Sequence, residues 1–250
     1  MPPLVRYIQA KTILNRSGIR GIDYCLNPYV GCLHGCRYCY ASFMKRFTNH
    51  SEPWGWFVDI KGNAVKLLEQ EIQRIERGTV LMSSVTDCYQ RIEAKTKLTR
   101  ACLDVLKDTR LEISILTKSP LVLRDMDLLK RFHSVEVGLT ITTNNENIRR
   151  LFEPHAPSIG QRIKALKTLY KEGIRTYVFI GPVLPMNPDA LAEALYEWVD
   201  RVLIDRMNYC YKTVAIYQKA GLQRWLEEAV ISQKIEHFRR IFSDKRVELC

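Results

Sequence analysis

The sequence contains no apolar run approaching the about 20 residues that a helix needs to cross a bilayer, and its opening, MPPLVRYIQAK, lacks the apolar core of a secretory signal. The expectation is a cytoplasmic protein with no membrane association. There is also no composition break, internal repeat or low-complexity linker. One domain over residues 1–250 is therefore expected, with its core over about 19–207 and a helical extension over about 208–250. Acidic residues are scarce relative to basic ones, 27 against 38, which leaves a formal charge of +11. Such a surface attracts phosphate backbones, membrane headgroups or acidic proteins, though a basic surface without any polyanion partner accounts for the charge equally well. A disulfide framework is not expected in a reducing compartment, so the eight cysteines are read first as metal ligands or catalytic thiols wherever they cluster.

What the sequence does have is alternation. Runs rich in β-branched residues at 19–25, 79–86, 111–117, 135–142, 175–183 and 201–207 read as six strands. Amphipathic stretches lie between them. One opens at Asn63, carries Val65, Leu68, Ile72 and Ile75 on one face, and stops at Gly78; another carries Leu98, Cys102 and Val105. Ile163, Leu166 and Tyr170 stripe a third that closes at Gly173, and Asn187-Pro188-Asp189 opens a fourth with Leu191, Leu195 and Trp198. Leu222, Leu226, Ile231, Ile235 and Phe238 read as a helical tail. Repeated βα units demand parallel strands with right-handed crossovers, hence an open doubly wound sheet or a curved, incomplete barrel. Both place functional loops at the C-terminal ends of strands.

The loop after the first strand reads Pro-Tyr-Val-Gly-Cys-Leu-His-Gly-Cys-Arg-Tyr-Cys-Tyr-Ala over 28–41. Cys32, Cys36 and Cys39 follow a C-x3-C-x2-C spacing, close enough for one loop to wrap a cubane, and Gly31 and Gly35 permit the backbone angles that tight wrapping needs. A cubane has four irons, so three thiolates leave one iron open to an external chelating ligand such as the amino and carboxylate groups of S-adenosylmethionine. The rival is a closed zinc site with Cys25 or His34 as fourth ligand, as in a non-catalytic zinc or iron–sulfur protein that binds nucleic acid. Paired zinc knuckles are absent, which favours the cluster.

With NPYVGCLHGCRYCYA, SSVTDCYQRIE at 83–93, LTKSPLVLRD at 116–125, LFEPHAPSIGQRI at 151–163 and FIGPVLP at 179–185, the chain resembles the radical S-adenosylmethionine superfamily. Within it, the chain is similar to the spore photoproduct lyase-related group, the "DNA repair photolyase"-like proteins. The resemblance implies an incomplete (βα)6 barrel, a [4Fe-4S] cluster on Cys32, Cys36 and Cys39, and S-adenosylmethionine cleaved to methionine and a 5′-deoxyadenosyl radical. The electron would come from a donor such as flavodoxin or ferredoxin. It further implies that Tyr38 lies beside the adenine, that Thr86 and Asp87 lie near the methionyl end, and that Lys118 meets the cofactor carboxylate. Asp87 as a turn cap and Lys118 as a solvated strand-end lysine are the structural alternatives.

Thr140 and Thr142 share a side of the fourth strand by period-two alternation and could both face the barrel interior and the ribose. Glu153 and Arg162 read as an ion pair that fixes their loop. One position departs from spore photoproduct lyase: where that enzyme has a cysteine that returns a hydrogen atom to the product radical, this chain has Ser84. A hydroxyl is no substitute, because its O–H bond is much stronger than a thiol S–H. Cys88 is the candidate displaced donor, with a buried structural cysteine as its alternative. Cys102 reads as core, and Tyr209 and Tyr211 around Cys210 read as either substrate-facing or packed. A nucleic acid, DNA or RNA, is the leading substrate class, with a protein or small metabolite as the other.

Overall fold

The structure is a computed structural model that describes residues 2–250. Its strands are β1 (Leu4–Ile8), β2 (Leu14–Arg16), β3 (Tyr24–Leu26), β4 (Tyr29–Val30), β5 (Phe57–Lys61), β6 (Thr79–Met82), β7 (Glu112–Thr117), β8 (Val135–Thr140), β9 (Arg175–Ile180), β10 (Arg201–Ile204) and β11 (Arg246–Leu249). Eight form the main sheet in the order β11-β10-β9-β8-β7-β6-β3-β2, parallel except where β2 runs against β3. The six strands expected from the sequence correspond to β3, β6, β7, β8, β9 and β10, although the expected run at 19–25 overlaps β3 only at Tyr24 and Cys25.

Several of these strands end earlier than their apolar residues suggest: β6 stops at Met82, β8 at Thr140, β9 at Ile180 and β10 at Ile204. The apolar and β-branched residues run on past the last ladder bond into loops, and Ser83 turns out of β6 with φ 74°. Across a flat sheet β6 and β10 would be about 19 Å apart, at about 4.8 Å per strand. Yet Ser84 and Asp205, which follow them, border one cavity. The sheet therefore curls into an incomplete barrel whose edge strands β2 and β11 do not pair with each other.

Inside the barrel, β8 contributes Gly138 opposite Tyr177 of β9. The Tyr177 ring fills the space a larger residue would need, since a Cβ on Gly138 would sit 2.2 Å from it. Tyr177 Oη donates to the Ile115 carbonyl at 3.1 Å, across the intervening strand. Beneath it the Arg201–Glu136 ion pair (2.5 Å) and the Ser114 hydroxyl, which donates to Glu136 at 2.8 Å, close the N-terminal end of the barrel. Helices cover the outside. Ile159–Lys171 begins in a capping box of Ser158 and Gln161 and buries Ala165, Leu166 and Leu169. Pro188–Leu195 begins at Asn187, whose side chain accepts from Ala190 N.

Three features depart from the sequence reading. The N-terminal residues, where the sequence pattern marks no strand, build a second sheet in which β5 pairs with β1 and β4. Asn63 makes no side-chain cap; its amide instead exchanges two hydrogen bonds of 2.8 Å with the Ala10 backbone, which ties this sheet to the following helix. The helical extension, which includes Glu228–Ile241, ends in β11, a parallel partner for β10.

The close fit of Tyr177 over Gly138 predicts that Gly138→Ala lowers the unfolding free energy by about 1–3 kcal/mol through overpacking. Gly160, helical and with open space where a Cβ would sit, is the control: Gly160→Ala is expected to stabilise by up to about 1 kcal/mol. Denaturant unfolding of both variants reads the opposite signs.

Candidate active site

The cysteine loop leaves β3 at Asn27, whose side chain accepts from Val85 N (3.0 Å) and donates to Ser84 Oγ (3.2 Å). Gly31 has φ 90°, and a Cβ there would meet the Phe57 carbonyl at 2.6 Å, so the loop passes too close to β5 for a side chain. Its own carbonyl accepts from Thr86 Oγ1 (2.6 Å) and Gln90 Nε2 (3.1 Å), while Gln90 Oε1 accepts from Leu33 N at 2.8 Å. Gln90 is fully buried. It reads the loop backbone from both sides, a role its place in SSVTDCYQRIE did not announce.

Two buried carboxylates clamp the loop. Asp87 accepts from the Thr117 hydroxyl (2.6 Å), Tyr89 N (2.9 Å) and Lys118 N (2.9 Å), and its other neighbour is His34 Nε2 at 3.0 Å. Burial alone would raise its pKa, but His34, the hydroxyl and the amide outweigh burial and hold the carboxyl well below the usual range. Glu153 accepts from the Tyr38 phenol and from Thr142 Oγ1 (3.0 Å), and pairs with Arg162 Nη2 at 2.5 Å. Arg162 also donates to the Thr140 carbonyl (3.0 Å) and to the Pro157 carbonyl. Burial again pushes the carboxyl up, but Arg162 and Lys118 bring it down to about 2. The expected Glu153–Arg162 pair is present, with neither side chain exposed.

Cys32, Cys36 and Cys39 all border one cleft of about 850 Å³, counted with its open mouth. The facing walls come from strand C-termini: Ser83 and Ser84 after β6, Lys118 after β7, Thr140 of β8, Phe179 of β9, and Asp205 to Asn208 after β10. Burial raises all three thiols, Cys36 to about 12. A metal reverses that penalty by taking the thiolate. The donor set suits a cluster with one open corner: three thiols share the cleft, His34 is committed to Asp87, and Cys25 lies in β3 and does not border the cleft. Trp54, which borders the cleft, has a buried Nε1 with no hydrogen-bond partner among the described residues.

Of the other residues singled out by sequence, Tyr38, Thr86, Asp87, Lys118 and Thr140 border the cleft. Lys118 Nζ lies 5.7 Å from the Tyr38 ring centroid. Burial opposes its charge, but the neighbouring Cys36 sulfur and the Glu153 carboxylate outweigh burial and raise its pKa, so it is held as an ammonium. Two residues require correction. Thr142 lies past the end of β8, outside the cleft wall, and binds Glu153. Cys88 is fully buried in the hydrophobic core behind the loop, with Sγ turned toward the Met82 carbonyl, so it does not face a substrate. Sequence reasoning missed Trp54, Tyr40 and Asp205. Asp205 directly follows β10 and was signalled only by polar residues following VLI; Tyr40 directly follows Cys39, and Trp54 reaches the cleft through tertiary contacts.

An incomplete parallel barrel with a three-thiol loop at its C-terminal mouth defines the radical S-adenosylmethionine class. The Radical SAM superfamily model matches residues 26–199, and the chain belongs to that superfamily. It is accordingly an enzyme of the class that uses a [4Fe-4S] cluster and S-adenosylmethionine. An uncharacterised protein of Methanocaldococcus jannaschii is 48% identical over 178 residues, covering 71% of this chain and 67% of that one. One from Mycobacterium tuberculosis is 29% identical over 174 residues, covering 67% of this chain, which thus spans about half (51%) of that relative. Among solved structures, spore photoproduct lyase complexed with dinucleoside spore photoproduct gives a TM-score of 0.73 at 14% identity, covering 98% of this chain and 82% of that one. Streptococcus suis SuiB bound to its precursor peptide SuiA gives 0.54 at 15% identity, covering 100% and 49%. At these identities the likeness is one of fold. No helix of the described residues is long and apolar enough to cross a membrane.

Replacing Glu153 by Gln leaves Arg162 buried and unpaired and is expected to cost about 3–5 kcal/mol. Because the folded pKa of Glu153 is depressed, its contribution is present above the unfolded value near 4.3 and is lost as pH falls towards about 2. Urea titrations between those limits should show Glu153→Gln losing part of the acid dependence of the parent.

Proposed function

We propose that this chain reductively cleaves S-adenosylmethionine and uses the 5′-deoxyadenosyl radical to remove a hydrogen atom from a nucleic-acid substrate. The observation that carries the reading is the cleft itself, in which the thiols of Cys32, Cys36 and Cys39 face a wall of strand C-termini that includes the Lys118 ammonium. The cluster held by Cys32, Cys36 and Cys39, once bound and reduced, supplies the electron that breaks the sulfonium carbon–sulfur bond. Lys118 meets the cofactor carboxylate. The Tyr38 ring, pinned through its phenol to Glu153, packs beside the cofactor, and the Thr140 hydroxyl is offered to the ribose. Thr86 and Asp87 act on the loop, and Thr142 acts through Glu153. Reduced flavodoxin or ferredoxin is the proposed electron source, in the cytoplasm.

Three things support the nucleic-acid substrate: the charge of +11, the fold shared with spore photoproduct lyase, and the open cleft. Repair of thymine dimers by thiol hydrogen return is not the reaction proposed. Ser84 borders the cleft where the thiol would be needed, and Cys88 is turned away. The SuiB complex with a peptide motivates the second reading, a protein substrate on the same fold.

Anaerobic reconstitution with iron and sulfide, followed by dithionite and S-adenosylmethionine, should yield 5′-deoxyadenosine on chromatography. Alanine at Cys32, Cys36 or Cys39 should remove cluster absorbance and product together, whereas Cys102→Ala, a change in the core, should keep both. A fully loaded cluster that never cleaves the cofactor contradicts the reading. Lys118→Met should weaken cofactor binding by roughly 10- to 100-fold in equilibrium dialysis, with iron content unchanged.

A further inference from the structure

Directly after Cys39 the chain forms a 3₁₀ helix, Tyr40–Phe47, of eight residues. Runs of this length are uncommon, and in this geometry side chains three apart eclipse one another. Tyr40, Phe43 and Arg46 therefore form one stripe, with Phe47 beside its outer end. The stripe starts at the cleft, which Tyr40 borders, and leads away over the surface. Tyr40 is 44% exposed and Phe47 70%. The Arg46 guanidinium lies 5.6 Å from the Phe43 ring centroid and 5.7 Å from that of Phe47, and the two rings meet edge-on at 6.3 Å. Its Nε reaches only the Phe43 carbonyl, at 3.4 Å, and Arg46 forms no ion pair among the described residues.

Within the chain the Tyr40 phenol ties the start of the stripe to the Ser84 carbonyl, and Arg46 gains a modest cation–π contact with the two rings. These contacts leave the Phe47 ring and the Arg46 guanidinium exposed, with no ion pair to Arg46 among the described residues. The exposed Phe47 ring and Arg46 guanidinium, continued toward the cleft by the half-buried Phe43 and the exposed Tyr40 ring, suit a ligand that has aromatic faces and a negative backbone. Unpaired nucleotides have both, whereas a duplex hides its base faces within the stack. A lipid surface would meet the same residues, but the stripe ends at a cleft built for chemistry on a discrete substrate.

We propose that Tyr40, Phe43, Arg46 and Phe47 form a stacking platform that delivers an unpaired nucleic-acid strand to the cleft. The inference rests on the nucleic-acid reading above and narrows it to single strands. The test uses the anaerobically reconstituted holoprotein and fluorescence anisotropy with a labelled single strand of about 12 nucleotides, as DNA and as RNA, and with the matching duplex. The single strand should bind more tightly than the duplex, and Phe47→Ala should weaken its binding by roughly 5- to 100-fold. Phe47→Trp should restore affinity, with quenching of the new indole on stacking, and Phe47→Leu should not. Arg46→Gln should reduce the slope of log affinity against log salt by about 0.7. Iron content and unfolding midpoint establish that each variant is loaded and folded.

If the parent binds single strands and the Phe47 and Arg46 variants bind equally well, the platform is wrong while the nucleic-acid reading stands. Preference for the duplex also overturns the platform. No binding to any nucleic acid at low salt defeats both readings, and Phe47-dependent binding to phosphatidylglycerol vesicles in that case assigns the stripe to a lipid surface.

Discussion

Two buried carboxylates hold the cysteine loop against the barrel, and the rest of the site depends on them. Asp87 grips the loop through His34 while its other oxygen contacts fix the start of the segment after β7. Glu153 grips it through Tyr38 while its pair with Arg162 reaches the last carbonyl of β8. The loop packs Tyr29 and Leu33 into the core, while its cysteines and Tyr38 line the cleft. These anchors and the Gln90 amide add polar ties to that packing. Both carboxylates stay ionised despite burial because every interaction that favours the charge is supplied by neighbouring residues.

The same anchors connect the loop to the strands that build the opposite wall. Tyr177 over Gly138 and the Arg201–Glu136 pair fill the lower barrel, so open space is left only towards the strand C-termini, where the thiols are. Lys118 illustrates the electrostatic consequence: it follows β7 directly, sits near the Cys36 sulfur and the Glu153 carboxylate, and is kept cationic where an anionic ligand group can reach it. The second sheet contributes as well, since β5 presses on Gly31 and Trp54 reaches the cleft from the turn before it.

Much of this was legible in the residues. Apolar runs rich in β-branched residues located five of the barrel strands and met β3 only at Tyr24 and Cys25, and the spacing of Cys32, Cys36 and Cys39 located the site, because both signals are local. Strand ends were read too long, as at 79–86, because residues such as Ser83 and Val85 have strand-like neighbours but take their conformation from the loop they pack on. Thr142 was placed on a strand face by alternation that stops two residues earlier. Cys88 could not be assigned a direction from sequence, since the turn after β6 decides which side it faces. The N-terminal sheet escaped notice because β1 and β4 are short and partly exposed, with partners far away in the chain. Trp54 was silent for the same reason, since only tertiary contacts bring it to the cleft, whereas Tyr40 was within reach of the sequence because it directly follows Cys39.

The central claim is that three thiolates hold a cubane with one iron left open. Electron paramagnetic resonance of the anaerobically reconstituted, dithionite-reduced protein, recorded before and after S-adenosylmethionine is added, tests it directly. The account predicts a [4Fe-4S]⁺ signal whose g values move when the cofactor occupies the open iron. A spectrum indifferent to the cofactor, or protein that binds one zinc ion in a closed four-ligand shell and assembles no cluster, would contradict it.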